Sequence, residues 1–318
     1  MSATTGSEAT PAGPGFTGTA WVSGEDWEAR GRYVELLDHR IFVIDEPATA
    51  EERGTILLIH GFPTSSWDWW KIWPALNTHY RLVAMDLLGF GFSAKPVGHD
   101  YRIMEQADIC EVLVEQLGLT EFHVLAHDYG DTVAQEMLAR QNEGLGVGRW
   151  QSCLFLNGGL FPETHRARLI QKLLRSRAGF LFSALLTRRS LRGSFDSIFG
   201  DEKATDAEID AFFALFDRDG GRRNLHRLIH YMSDRIEHRE RWVAALTKAC
   251  CAIGLINGSL DPVSGDHMVK RFEELVSRDC FIRRLPRTGH YPQTEAPDAV
   301  AAAYLEFVGG LSSASSPA

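Results

Sequence analysis

Short, unbroken apolar runs alternate with stretches of helical period along most of this 318-residue chain. Residues 55–60 are the clearest such run, continuously apolar as a strand covered on both faces is, and 81–85 and 152–157 read as further buried strands, with a short β-rich run at 122–126. Ahead of them, residues 33–37 and 41–44 alternate or are β-branched and are joined by Asp38-His39-Arg40, which predicts an opening antiparallel hairpin. Thr64, Ser65 and Ser66 offer N-caps for one aromatic helix holding Trp67, Trp69, Trp70 and Trp73. Helical period recurs over 103–117 and from about Asp131. From residue 162 to 247 the rhythm breaks: every stretch there reads as helix, with Gly193, Gly200 and Gly220-Gly221 as punctuation. Alternation then resumes with strands at 251–257 and 281–285 and helices at 265–276 and 297–308. Strand and helix in turn specify a mostly parallel α/β sheet with helices on both faces, here with a helical cap inserted after the sixth strand. The expected divisions are a disordered tail (1–20), the first part of the core (21–161), the cap (162–247), the second part of the core (248–309) and a frayed tail (310–318).

Composition narrows the class. A hydrophobic content of 44% is enough for a real core, and a net charge of -9 with both signs scattered argues against nucleic acid or an anionic membrane as the main partner. Five cysteines, without CxxC spacing and mostly in apolar patterns, read as reduced core residues. The first twenty residues have neither a basic nor an apolar segment of a secretory signal, and no apolar run is long enough to span a bilayer. A cytoplasmic protein without membrane insertion is expected.

The chemistry is expected where residues 122–126 meet the following helix almost without a loop. Such a turn needs small residues, supplied by Ala126 and Gly130, and between them stands Asp128 at the position where a nucleophile elbow usually carries Ser. The alternative is that Asp128 merely caps the helix. Two more residues follow strand ends: Asp261 in Gly258-Ser-Leu-Asp261-Pro262, and His290 in Thr288-Gly289-His290-Tyr291-Pro292. In an open α/β sheet ligands bind beyond the carboxyl ends of strands, so three such loops can converge. Gly89, Gly91 and Ala94 match a dinucleotide fingerprint in spacing, but Pro96 continues the loop where that motif needs a helix. His226 and His230, four apart, lack a third ligand, so neither metal nor organic cofactor is expected.

The order nucleophile, acid, histidine, together with His60-Gly-Phe-Pro, Asp86-Leu-Leu-Gly-Phe-Gly-Phe-Ser, His127-Asp-Tyr-Gly, Gly258-Ser-Leu-Asp and Gly289-His-Tyr-Pro, resembles the α/β-hydrolase fold in its epoxide hydrolase and haloalkane dehalogenase branch. Within it, Asp131-Thr-Val-Ala-Gln-Glu and Asn157-Gly-Gly-Leu-Phe-Pro-Glu-Thr-His-Arg are most similar to the mesoderm-specific transcript group. The resemblance implies that Asp128 forms a covalent alkyl ester, which a carboxylate can do and then release, whereas a Ser ether could not be hydrolysed by a nearby imidazole. His290 would activate water and Asp261 would orient it, with the N–H groups of Phe62 and Tyr129 as oxyanion hole. Tyr129, not Trp, follows the nucleophile, which disfavours halide release. Tyr231 is the single tyrosine of the insertion and the candidate donor to an opening epoxide. His60, Pro63, Trp67, Phe161 and His230 are expected to line the pocket. Asp131, next to the elbow, would raise the nucleophile's pKa if both were buried. The expected reaction is hydrolysis of a small apolar electrophile by water, an epoxide first; a haloalkane or haloacid dehalogenase and a non-catalytic binding protein on the same fold are the alternatives.

Overall fold

The computed structural model describes residues 20–276 and 279–314. The chain opens with α1 (Gly24–Arg30), held at its start by a reciprocal capping box between Ser23 and Asp26, an element the apolar pattern does not reveal. Strands β1 (Arg32–Leu36) and β2 (His39–Glu46) form the predicted hairpin, turning through Leu37 and Asp38 at positive φ. Next come β3 (Thr55–Ile59), α2 (Trp73–Asn77), β4 (Arg81–Met85), α3 (Ile103–Gln116), β5 (Glu121–His127), α4 (Tyr129–Asn142) and β6 (Arg149–Leu156). The insertion follows as α5 (Leu169–Leu174), α6 (Gly179–Leu185), α7 (Arg188–Asp196), α8 (Asp206–Asp217), α9 (Leu225–Leu228), α10 (Tyr231–Glu237) and α11 (Arg239–Thr247). The chain then returns through β7 (Ala252–Gly258), α12 (Asp266–Leu275), β8 (Phe281–Leu285), α13 (Pro292–Glu295) and α14 (Pro297–Ala314).

The eight strands lie in the order β1-β2-β4-β3-β5-β6-β7-β8. β1 and β2 run antiparallel to their neighbours, and every pairing from β4 to β8 is parallel. Strand periodicity divides the apolar residues between two cores. Leu57, Ile59, Val83, Met85, Val124 and Phe155 face α3, α4 and α12, whereas Ile56, Leu58, Leu82, Leu125 and Leu154 face α1, the tryptophans and α14. β3 is buried on both faces and apolar throughout after Thr55, and the later residues of β6 likewise, whereas β5 buries His123 and His127 among its apolar residues.

Two expectations need correction. The aromatic stretch is not one helix: Ser65 caps a short 3₁₀ turn over Ser66–Trp69, and α2 starts afresh at Trp73 with Pro74 in its first turn. The last helix does not stop at 308 but continues to Ala314, into what was expected to be a frayed tail, and Leu311 packs against the second core. The expected tail at 1–20 lies outside the described residues apart from Ala20, as do residues 315–318. No helix among the described residues is long and apolar enough to cross a membrane.

Candidate active site

Asp128 occupies the single residue between β5 and α4. Its backbone is held at φ 46°, ψ -101°, outside helical and extended geometry, and its side chain makes no helix-capping hydrogen bond. The carboxylate is therefore turned away from the helix start and toward the ends of the strands. So tight a turn requires Gly130: a Cβ there would lie 2.2 Å from the carbonyl oxygen of Ile59.

Three loops meet Asp128. The Phe62 N–H donates to Asp128 Oδ2 at 3.2 Å, and the peptide that follows, Phe62–Pro63, is cis. Tyr129 begins α4, so its N–H is one of those a helix start leaves without an intrahelical acceptor. His290 Nε2 stands 3.9 Å from Asp128 Oδ1, beyond hydrogen-bond range, while its Nδ1 lies 2.8 Å from Asp261 Oδ2. The imidazole is fixed from behind. Its main-chain N–H donates to Ile198, its carbonyl accepts from His127 Nε2 at 2.8 Å, and Glu295 accepts the N–H groups of Gly289 and Tyr291.

Asp261 is held by more donors than the histidine. Oδ2 accepts the Ser264 hydroxyl at 2.7 Å and the Asn157 amide at 3.0 Å, and Oδ1 accepts Val263 N–H at 2.7 Å. Burial works to raise its pKa, but the His290 charge and this set of hydrogen bonds outweigh burial and bring it down to about 2. Burial would likewise depress His290, yet the Asp261 carboxylate, assisted by Asp128, raises it to about 9. The pair is an imidazolium and a carboxylate at neutral pH.

Above these residues lies a cavity of about 110 Å³. Its floor is Asp128, His290, Phe62 and Pro63; its walls come from the insertion and are mostly apolar, including Ile170, Leu174, Leu191, Phe195, Phe216 and Leu225. Four expected lining residues are elsewhere. His60 is wholly buried, donating from Nδ1 to the Gly61 carbonyl and accepting Leu87 N–H at Nε2, so its ring braces the loop below the site. Trp67 is spent in the core against Phe212, with its indole N–H on the Val22 carbonyl. Phe161 packs toward Phe272 in the opposite core. His230 is exposed at a separate surface cleft beside Arg102 and Glu237. Nearness in sequence to the strand ends does not bring these side chains to the cavity, because the loops and helices that carry them turn them into other layers.

Tyr231 is placed closer to the chemistry than its amphipathic edge position suggests, though not on the cavity wall. Its ring is buried 5.8 Å from Phe62 and 5.0 Å from Tyr129, centroid to centroid, and its hydroxyl has no hydrogen-bond partner. Burial, then the Asp128 charge, pushes the phenol well above its ordinary pKa, so the proton is retained. Asp131 is also buried, and burial followed by the charge of Asp128 lifts its pKa far out of the carboxylate range.

Sequence reasoning missed Arg235. From α10 its Nη2 donates to the Asp128 carbonyl at 2.9 Å and lies 3.7 Å from Oδ1, Nε donates to Thr132 Oγ1 at 2.7 Å, and the guanidinium sits 4.5 Å from the Tyr231 ring centre. An arginine four residues beyond Tyr231, hence on the same helix face, was the available signal. Asn157, at φ 42°, was likewise passed over as the end of a strand; it both accepts the Gly258 N–H and donates to Asp261.

Residues 54–297 match the alpha/beta hydrolase fold family. The chain is similar to the mesoderm-specific transcript protein of Mus musculus, 37% identical over 89% of this chain and 87% of that protein. A protein of Mycobacterium tuberculosis named LipZ is 35% identical over 89% of this chain and 97% of its own length. Among solved structures, a loop variant of the haloalkane dehalogenase DbeA from Bradyrhizobium elkanii superposes with a TM-score of 0.74 at 22% identity, covering 90% of this chain and 98% of that one, a likeness of fold.

Proposed function

The chain belongs to the alpha/beta hydrolase family, and on that footing we propose that it hydrolyses a small apolar electrophile through an ester on Asp128, with an epoxide opened to a diol as the reaction. The observation that carries this reading is the position of the Asp128 carboxylate: not capping its helix, under an apolar cavity, with a backbone donor on one oxygen and an imidazole beyond the other.

In the first step Asp128 Oδ1 attacks a saturated carbon and the bond to the leaving oxygen breaks. Tyr231, neutral and without a partner for its hydroxyl, gives its proton to that oxygen as the side chain turns toward the cavity. Arg235 supplies positive charge 3.7 Å from Asp128 Oδ1. The second step uses a change in electrostatics. Alkylation removes the Asp128 charge, one of the carboxylate charges, with Asp261 and Glu295, that hold His290 protonated, so the imidazolium can pass its proton to the tyrosinate left by the first step and then take one from water. Water attacks the ester carbonyl and the oxyanion forms against the N–H groups of Phe62 and Tyr129; collapse breaks the bond to the diol oxygen, which leaves with the imidazolium proton, and the carboxylic acid left on Asp128 returns a proton to His290 to restore the carboxylate. Asp261 orients the ring throughout. The helices between β6 and β7 act as the cap that shapes the pocket.

Single-turnover reaction in heavy-oxygen water tests the route. The first diol should be unlabelled, with label entering Asp128 and reaching product on later turnovers; label in the first diol sinks the ester. Release of halide from haloalkanes without diol from epoxides would select a dehalogenase instead, and no reaction with either class a binding role.

A further inference from the structure

We propose that the outer face of α5 and α6 docks this protein on an anionic lipid surface. The net charge of -9 conceals a strongly uneven distribution: residues 164–195 contain eight arginines and lysines and neither Asp nor Glu. Several of those cations lack an acidic partner. Arg188 and Arg192 pair with Asp206, but among the described residues Lys172, Arg175, Arg177 and Arg189 are exposed and form no salt bridge, Arg175 making only a hydrogen bond to Ser233.

Interleaved with them is the largest cluster of exposed apolar side chains near one place in the sequence. Leu169 and Leu185 are each 73% exposed, Phe180 55% and Leu181 52%. Isolated exposed apolar residues are ordinary, but here four occur on two consecutive short helices that also contact each other. Leu169 starts α5 and the other three lie on α6, with Arg175 and Arg177 in the connection and Arg189 just beyond. Apolar side chains flanked by unpaired cations suit the boundary between acyl chains and phosphate headgroups, where the first enter the hydrocarbon and the second meet the phosphates. A second copy presenting the same face would set cation against cation, which disfavours symmetric self-association. No crossing helix is needed, and among the described residues none exists.

The location adds a consequence for substrate. The inner sides of the same helices, through Ile170, Gln171, Leu174 and Leu186, line the cavity over Asp128. Docking by this face would bring the cavity wall against the bilayer, a source of apolar substrates. The docking itself does not depend on the proposed reaction.

The test is co-sedimentation of the full chain with vesicles of phosphatidylcholine alone or mixed with about one-third phosphatidylglycerol. Binding is expected to the anionic vesicles, at least tenfold weaker to the neutral ones, and weakened on raising salt. Arg175→Glu with Arg177→Glu should abolish it, and Phe180→Ser with Leu181→Ser should weaken it about tenfold, both on solvent-exposed positions with far-ultraviolet dichroism unchanged. No pelleting with anionic vesicles overturns the proposal, as does pelleting unaffected by either double variant. Pelleting without vesicles, with a larger species in light scattering, would assign the face to a second copy and also overturn it.

Discussion

Arg235 donates from Nη2 to the main-chain oxygen of Asp128 at 2.9 Å, joining an insertion helix to the nucleophile's own backbone across 107 positions of sequence. The contact couples the cap to the elbow. A guanidinium can do this because its planar fork engages the Asp128 carbonyl and Thr132 at once.

Replacing Arg235 by Met should therefore cost about 2–4 kcal/mol of stability, since buried acceptors lose their donor, and should lower kcat at least tenfold. Arg235→Lys should recover part of the rate by restoring charge but little of the two-point contact. Chemical denaturation and steady-state kinetics on both variants check this; equal behaviour of Met and Lys would mean the charge is irrelevant.

Tyr231→Phe should separate activity from stability. Its hydroxyl is buried without a partner, so removing it should leave stability unchanged or raise it by up to about 1 kcal/mol. Epoxide turnover should fall roughly 10²–10⁴-fold through loss of the proton donor, with the effect in the alkylation step. Pre-steady-state kinetics would show whether that step is the one slowed.

His290→Gln should trap the ester, because alkylation needs no base whereas hydrolysis does. Intact mass after incubation with an epoxide should show the protein heavier by one substrate, on the peptide carrying Asp128. A variant that turns over freely without an adduct would remove His290 from its assigned role.

Stability should fall on both sides of a plateau. His290 is raised from 6.5 to about 9, so its contribution is complete below pH 6.5 and lost as pH rises through 9. Asp261 is lowered from 3.8 to about 2, so its contribution is complete above 3.8 and lost as pH falls through 2. Each is worth on the order of 1–3 kcal/mol for so tightly coupled a pair. Melting temperature against pH in the native chain and in His290→Gln measures it: the variant should lose the alkaline decline.

Local pattern alone was enough for the strands of the sheet and for α3, α4 and α12, but not for α1, the division of the aromatic stretch or the end of α14. Strands buried on both faces, β3 above all, are mainly apolar, and the elbow must have small residues where strand and helix backbones touch, so both leave a mark that short windows of sequence reveal. The roles of Asp128, Asp261 and His290 were suggested by their order and by their places after strands, since parallel strands deliver all such loops to one edge.

Which side chains reach the cavity was decided only by the folded chain. His60 follows β3 more directly than Phe62 and Pro63 do, yet it turns into a packed layer, as Trp67 does in the 3₁₀ turn beyond, and Phe62 and Pro63 form the floor, a distinction set by loop dihedrals and neighbouring helices rather than by residue type. Arg235 carries no local signature beyond its spacing from Tyr231: its partners are more than a hundred residues away, and a buried guanidinium is tolerated only because tertiary contacts bring the Asp128 carbonyl and carboxylate and the Thr132 hydroxyl to it.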